Sequence, residues 1–356
     1  YREMLTGFYT VLKDADRYLR FVFITGVTKF SQLGVFSNLN QLMDISMAPD
    51  YATVCGMTKS EIERDFQPEL AALAAMNKLT YEQTVNEMTK RYDGYHFSEF
   101  LSDGIYNPFS VLNALVQKRF SSYWFATGTP TMLVDMLKKT DYDLRQLDGI
   151  EVPAAALIDY RADFHNPVPI IYQSGYLTIK GYDPEFGIYR LGFPNKEVEE
   201  GFVKYLLPFY TSIQASKTPF EIGQFVREIR SGNYDAFFHR LQSFFADTPY
   251  EVIAGQKPER DTELHYRNVL FIVFKLVGLY TQVEYHTSNG RIDLVLQTDR
   301  YVYIMEFKLN GTAEEALRQI EEKGYALPFA GDDREVFKIG VNFSSETRNI
   351  EKWLVG

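Results

Sequence analysis

The chain is short of several things. One cysteine, Cys55, stands in 356 residues. A lone thiol forms neither an internal disulfide nor a cysteine-rich zinc site, and it points to a reducing, cytoplasmic compartment. Five histidines are scattered at 96, 165, 239, 265 and 286, without a His-x-x-x-His pair or a neighbouring Cys, which argues against a zinc centre. No Gly-Lys dipeptide occurs, so the Walker A loop that cradles nucleotide phosphates is absent. There is no Gly-x-Ser-x-Gly elbow of a serine hydrolase. The longest apolar run, Val269 to Phe274, suits a core and falls far short of the ~18 residues of a membrane span. No signal peptide is visible. Basic residues are outnumbered, 37 Lys and Arg against 47 Asp and Glu, which excludes a general nucleic-acid coat but leaves room for a local groove.

What remains is globular: 46% hydrophobic, 24% charged and 15% aromatic, enough for two or three domains. The chain opens on Tyr1-Arg2-Glu3 rather than on Met and reaches a buried-strand pattern at Phe21 to Ile24. The expectation is an upstream segment outside this chain; a processed N-terminus is the alternative. Residues 5–19 carry helical spacing, and a mixed helical stretch runs to about residue 92. Tyr92-Asp93-Gly94-Tyr95 is a turn, Asn107-Pro108 a helix start, and Thr131 to Lys139 a further helix. Ile170 to Tyr172, Tyr176 to Ile179 and Ile188 to Phe193 read as strands, the last two joined by the turn Asp183 to Gly187. Asn195 is an N-cap for the helix that follows. Helices before a hairpin predict either a winged-helix-like unit or a plain hairpin packed on helices. The Phe-rich faces of residues 205–250 read as core.

The last hundred residues have their own order: an apolar helix Glu263 to Val277, strands at 283–287, 291–298 and 301–309, a helix from Thr312 opened by the capping box Thr312-x-x-Glu315, a strand at 336–343, and a short helix around Ile350 and Trp353. With Asp299-Arg300 as the turn, Asp293 falls opposite Glu306, at a Cβ separation of about 4.5–5.5 Å. Lys308 follows on the same face. Both faces of the hairpin are apolar around this trio, as in strands covered on two sides. Two opposed carboxylates there are costly because like charge and desolvation both penalise ionisation. A hard divalent cation such as Mg²⁺ relieves the cost, and an adjacent ammonium then serves an attacking water. Alternatively, Lys308 simply neutralises the acids. Glu263 is placed to add an acidic contact from the preceding helix. Arg260, Arg267, Arg291, Arg300, Lys323 and Lys338 are candidates for a local phosphate groove, although from residue 251 on there are 13 basic and 17 acidic side chains. His286 reads as a solvated strand end or as a residue facing the cleft.

At these residues the chain resembles the PD-(D/E)XK nuclease superfamily. Glu263, Asp293 in Gly290-Arg291-Ile292-Asp293, and Glu306-Phe307-Lys308 match its helix acid, second-strand acid and third-strand Glu-x-Lys. Ile292 stands where the family name has Pro. Gln319 resembles the extra Gln of some branches, while the helix tyrosine, Tyr325, lies six residues on rather than four. The resemblance implies a C-terminal α-β-β-β-α-β restriction-endonuclease-like domain over 251–356, with Asp293 and Glu306 as ligands of Mg²⁺ or Mn²⁺ and DNA as the partner. Phe23 to Phe30, Asp50 to Gly56, Tyr92 to Tyr95, Tyr106 to Ser110 and Ala126 to Pro130 are similar to a bacterial AAA-ATPase-like family. This implies an ATPase-like remnant over 1–165, with ATP bound only if a preceding segment carries the P-loop, and Thr25 either a phosphate sensor or a strand cap. Residues 166–250 are then a helical and hairpin connector, within an overall α/β multidomain chain. The implied function is Mg²⁺-dependent hydrolysis of DNA, coupled to an ATPase-like domain in a longer protein, with no membrane partner. The alternative is an inactive nuclease fold kept as a nucleic-acid or protein-binding platform with a nucleotide switch.

Overall fold

The computed structural model describes residues 2–26, 43–100, 103–125, 131–140, 142–158, 166–211, 213–246, 260–288 and 291–356. Within these, the side chains of 2–6, 13, 132, 139, 260–263, 284–288 and 291–293 lie outside the description. The motif residues 27–30, 126–130 and Gly290 lie outside it altogether. The chain falls into two compact units, Tyr1–Phe202 and Val203–Gly356.

The first unit holds α1 (Arg2–Asp14), α2 (Lys59–Asp65), α3 (Gln67–Asn77), α4 (Tyr81–Tyr92), α5 (Pro108–Gln117), α6 (Thr131–Lys139), β1 (Ile150–Pro153), α7 (Ala154–Ile158), α8 (Val168–Gln173), β2 (Thr178–Asp183) and β3 (Ile188–Gly192). Local chemistry sets the ends of these helices. Thr58 with Glu61 and Thr80 with Gln83 form reciprocal capping boxes, and Asn107 accepts from the Ser110 N–H. Leu70, Leu73, Met88, Tyr92, Val111 and Leu115 form one core. The Tyr92 hydroxyl donates to the Ser121 carbonyl and accepts from its N–H. Gly94 turns with φ +99, and a Cβ there would lie 2.2 Å from the Pro194 carbonyl, so only glycine fits.

Two strand expectations fail in this unit. Phe21 to Ile24 forms no strand and joins no ladder among the described residues. Ile170 to Tyr172 lies in α8, because Asn166 accepts from the Val168 N–H and Pro169 sits in the first turn, which together start a helix. The hairpin β2–β3 is present, with Gly187 in its turn at φ +64, and β1 adds a third antiparallel strand in the order β1-β3-β2. Helix α9 (Lys196–Tyr210) begins where Asn195 accepts from the Val198 N–H.

The second unit contains α10 (Thr218–Arg230), α11 (Tyr234–Ala246), α12 (Arg260–Gly278), β4 (Gln282–Ser288), β5 (Arg291–Gln297), β6 (Tyr301–Leu309), α13 (Ala313–Glu322), β7 (Glu335–Ser344) and β8 (Asn349–Val355). The sheet order is β4-β5-β6-β7-β8. Only β6 and β7 are parallel, and α13 supplies the crossover that a parallel pair requires. The segment at Ile350 and Trp353, expected as a closing helix, is the strand β8. Ile350 is buried and Trp353 stacks on Phe238 of α11 at 5.2 Å, so edge pairing with β7 and packing on α11 override the short helical spacing.

The sheet is covered on two sides. On one face Val302 and Ile304 pack with Ile320 of α13 and with Tyr325 and Phe329. On the other, Phe307 meets Phe274 of α12 at 6.1 Å, and the Tyr303 hydroxyl donates to the Ile229 carbonyl of α10. Strand β6 is therefore buried along most of its length, the environment in which any charge it carries is expensive.

Candidate active site

The two-residue turn at Asp299-Arg300 sets the register of β5 on β6. Thr298 holds the turn with its hydroxyl, which accepts from the Tyr301 N–H at 2.9 Å. From there the ladder runs Gln297 with Val302, Leu294 with Met305, and Asp293 with Glu306. His286 on β4 is the next residue along the same row, opposite Asp293, and Gly340 on β7 continues it beyond Glu306.

Glu306 is 0% exposed. Its Oε1 accepts from the Lys308 ammonium at 3.0 Å. Lys308 keeps a fifth of its side-chain surface in solvent and also donates to Oε1 of Gln319 on α13. Lys308 thus bridges strand and helix. The Nε2 atom of Gln319 is buried and has no hydrogen-bond partner among the described residues.

A glycine makes this meeting of helix and strand possible. A Cβ at Gly340 would sit 2.2 Å from the Ala313 carbonyl and 2.5 Å from the Leu317 N–H. The α13 backbone therefore lies directly on β7 beside Glu306, and this approach carries Gln319 to Lys308. The capping box of Thr312 and Glu315 fixes where the helix starts.

The other expected residues are placed as follows. The Glu263 backbone lies in α12, and the side chains of Glu263, Asp293 and His286 are outside the described set. Tyr325 packs into the apolar cluster of Val302, Ile304 and Ile320. Arg300 lies at the turn, at the opposite end of β6 from Lys308, about 26 Å away along a strand rising ~3.3 Å per residue. Lys338 pairs with Glu321 at 3.5 Å. Of these basic candidates, Arg300 and Lys338 do not stand beside Lys308. Two polar residues escaped the sequence reading. Asn342 is the register partner of Lys308 on β7, and Glu351 on β8 accepts from it. The Gly340 signal was available, since a glycine inside a strand marks a close backbone approach.

Glu306, which has no exposed surface, and the acid opposite it in the ladder are residues whose carboxyl oxygens hard divalent cations take, and Lys308 sets an ammonium beside Glu306 on the same face. Among the described side chains, Glu306 is the carboxylate that fits such a role; no group of three or more His, Cys, Asp or Glu that could hold a metal occurs among them.

This helix–strand arrangement, with a parallel β6–β7 pair beside the β5–β6 hairpin, fits the restriction-endonuclease-like fold, and residues 261–353 match the PD-(D/E)XK nuclease superfamily. Residues 1–36 match a family described as a predicted AAA-ATPase. The chain thus carries a C-terminal PD-(D/E)XK nuclease superfamily domain and an AAA-ATPase-like segment at its start. It is 32% identical over 359 residues to an Azotobacter chroococcum mcd 1 protein described as "Uncharacterized protein in vnfD 5'region", covering 99% of this chain and 66% of that relative. No solved structure matches the chain. Among the described residues, no helix is long and apolar enough to cross a membrane.

Proposed function

We propose that the chain hydrolyses phosphodiester bonds of DNA with Mg²⁺ or Mn²⁺, and that in a longer protein this activity is coupled to nucleotide binding by an ATPase-like domain. The observation that carries the reading is the fully buried Glu306, facing an acid across the ladder and held by Lys308. Asp293 and Glu306 hold the cation. When bound, it supplies Lewis acidity toward a phosphate oxygen and lowers the pKa of a coordinated water. Lys308, partly exposed at the strand end, orients the attacking water and offsets charge that builds on the phosphate. Gln319 fixes the Lys308 amine, and Glu263 adds acidic support from α12.

In this reading residues 251–356 form the nuclease domain, 166–250 the connector and 1–165 the ATPase-like remnant. DNA contact is local, because the acidic chain offers no broad basic surface, and it weakens steeply with salt.

The test is cleavage of linear, circular and single-stranded DNA with Mg²⁺ or Mn²⁺. Wild type is expected to nick or degrade at least one, and Asp293→Ala and Lys308→Ala to abolish it. Equal activity in all three proteins refutes the assignment. DNA binding without cleavage by a folded wild type marks the platform reading instead.

A further inference from the structure

Strand β8 carries an irregularity beside the site. Asn342 pairs with Lys352 and Phe343 with Ile350, which leaves Glu351 as an extra residue in the ladder. A regular strand sends successive side chains to opposite faces; a bulge relaxes that alternation and is a device found next to active sites. Here the two successive residues both engage the α13 side. Lys352 pairs with Glu314 of α13, and Glu351 Oε2 accepts from Asn342 Nδ2 at 3.0 Å.

That second contact decides how Asn342 lies. A carboxylate only accepts, so Nδ2 must face Glu351 and Oδ1 must face the other way. Oδ1 is buried and has no hydrogen-bond partner among the described residues. A buried acceptor left unfilled is costly and calls for an explanation. Its register partner on β6 is Lys308, whose ammonium has three N–H donors. Two of them go to Glu306 and Gln319.

We propose that Asn342 is a positioning residue for Lys308, receiving its ammonium when a divalent cation takes Glu306. The inference rests on the cation reading of the site. Without the cation, the ammonium compensates the buried carboxylate. With it, two positive charges compete for one carboxylate and the ammonium is repelled. The empty acceptor one strand over, on the same row, lets Lys308 stay on the reacting face instead of swinging into solvent. Glu351, held in turn by the Thr347 hydroxyl at 3.3 Å, keeps the amide turned the right way.

The experiment uses the whole chain and Mg²⁺ alone, without DNA, followed by melting temperature and by ¹⁵N NMR of lysine ammonium groups. The Lys308 signal is the one missing from Lys308→Arg. In wild type, Mg²⁺ should raise the melting temperature and shift the Lys308 signal while it stays protected from water. In Asn342→Leu, Mg²⁺ should still raise the melting temperature, but the shifted signal should be lost to exchange. The exposed-site variant Glu351→Ala should lose it too, whereas Glu351→Gln, whose carbonyl still accepts the amide, should retain it. With DNA, kcat of Asn342→Leu should fall about tenfold to a hundredfold at unchanged KM, the loss of one hydrogen bond to a charged group. A shifted, protected Lys308 signal in Asn342→Leu, or no Lys308 response to Mg²⁺ in a wild type that Mg²⁺ stabilises, overturns the inference and leaves the nuclease reading standing. No Mg²⁺ stabilisation of wild type overturns the cation reading and this inference together.

Discussion

Lys308→Met removes the ammonium from Glu306 and keeps most of the side-chain volume. Glu306 has no exposed surface, so water does not replace what it loses. Breaking a buried ion pair by deleting one partner costs roughly 3–5 kcal/mol, because the remaining charge stays desolvated. Lys308 retains a fifth of its surface in solvent, which places the expected loss at the lower end, about 3 kcal/mol. In a unit of this size that is a fall in melting temperature of about 6–12 °C. Urea titration of the metal-free protein measures it. Glu306→Gln in the same chain removes the stranded charge and should return more than half of the loss, which separates electrostatics from packing. Lys352→Met is the control: its pair with Glu314 is half exposed on both sides, so water replaces what Glu314 loses and the effect should be far smaller than that of Lys308→Met. A Lys308→Met protein within about 0.5 kcal/mol of wild type refutes the reasoning, since Glu306 would then not depend on Lys308.

Three further outcomes are expected. Gly340→Ala forces a methyl onto the α13 backbone, which has no flexible side chain to yield; it should cost at least about 1–3 kcal/mol in urea titration, whereas Gly331→Ala, with open space around it, should be close to neutral. Gly94→Ala should prevent the first unit from folding normally, read as lost cooperativity of unfolding, because it combines a positive φ with a 2.2 Å clash on backbone. Glu197 is buried and its Oε1 accepts from the Trp124 N–H; burial pushes its pKa above the ordinary 4.5. A raised carboxyl pKa means that the folded state holds the proton more tightly than the unfolded one. Its contribution is therefore fully present below about pH 4.5 and is lost as pH rises through the folded value. Glu197→Gln should flatten that part of the stability–pH curve, and an unchanged curve would remove Glu197 as its source.

Much of the second unit was legible from local chemistry. The Thr312 to Glu315 box announced the start of α13, and the Asp299-Arg300 turn fixed the hairpin register, so Asp293 and Glu306 could be paired by counting. Turn length sets register, and register sets which side chains share a row. In the first unit the same kind of signal, Asn166 followed by two prolines, was present for α8 but was outweighed by an apolar run that suits strand and helix alike.

The sequence by itself thus determined the caps, the turns and the order of charges along each strand, all of which depend on residues a few positions apart. Only the tertiary structure decided that residues 349–355 pair as an edge strand, that Gln319 reaches Lys308, and that Asn342 and Glu351 stand beside them. Those contacts join residues 9 to 11 positions apart or more through a sheet edge, a bulge and a glycine-permitted helix approach. Their energies come from neighbours that no local spacing names.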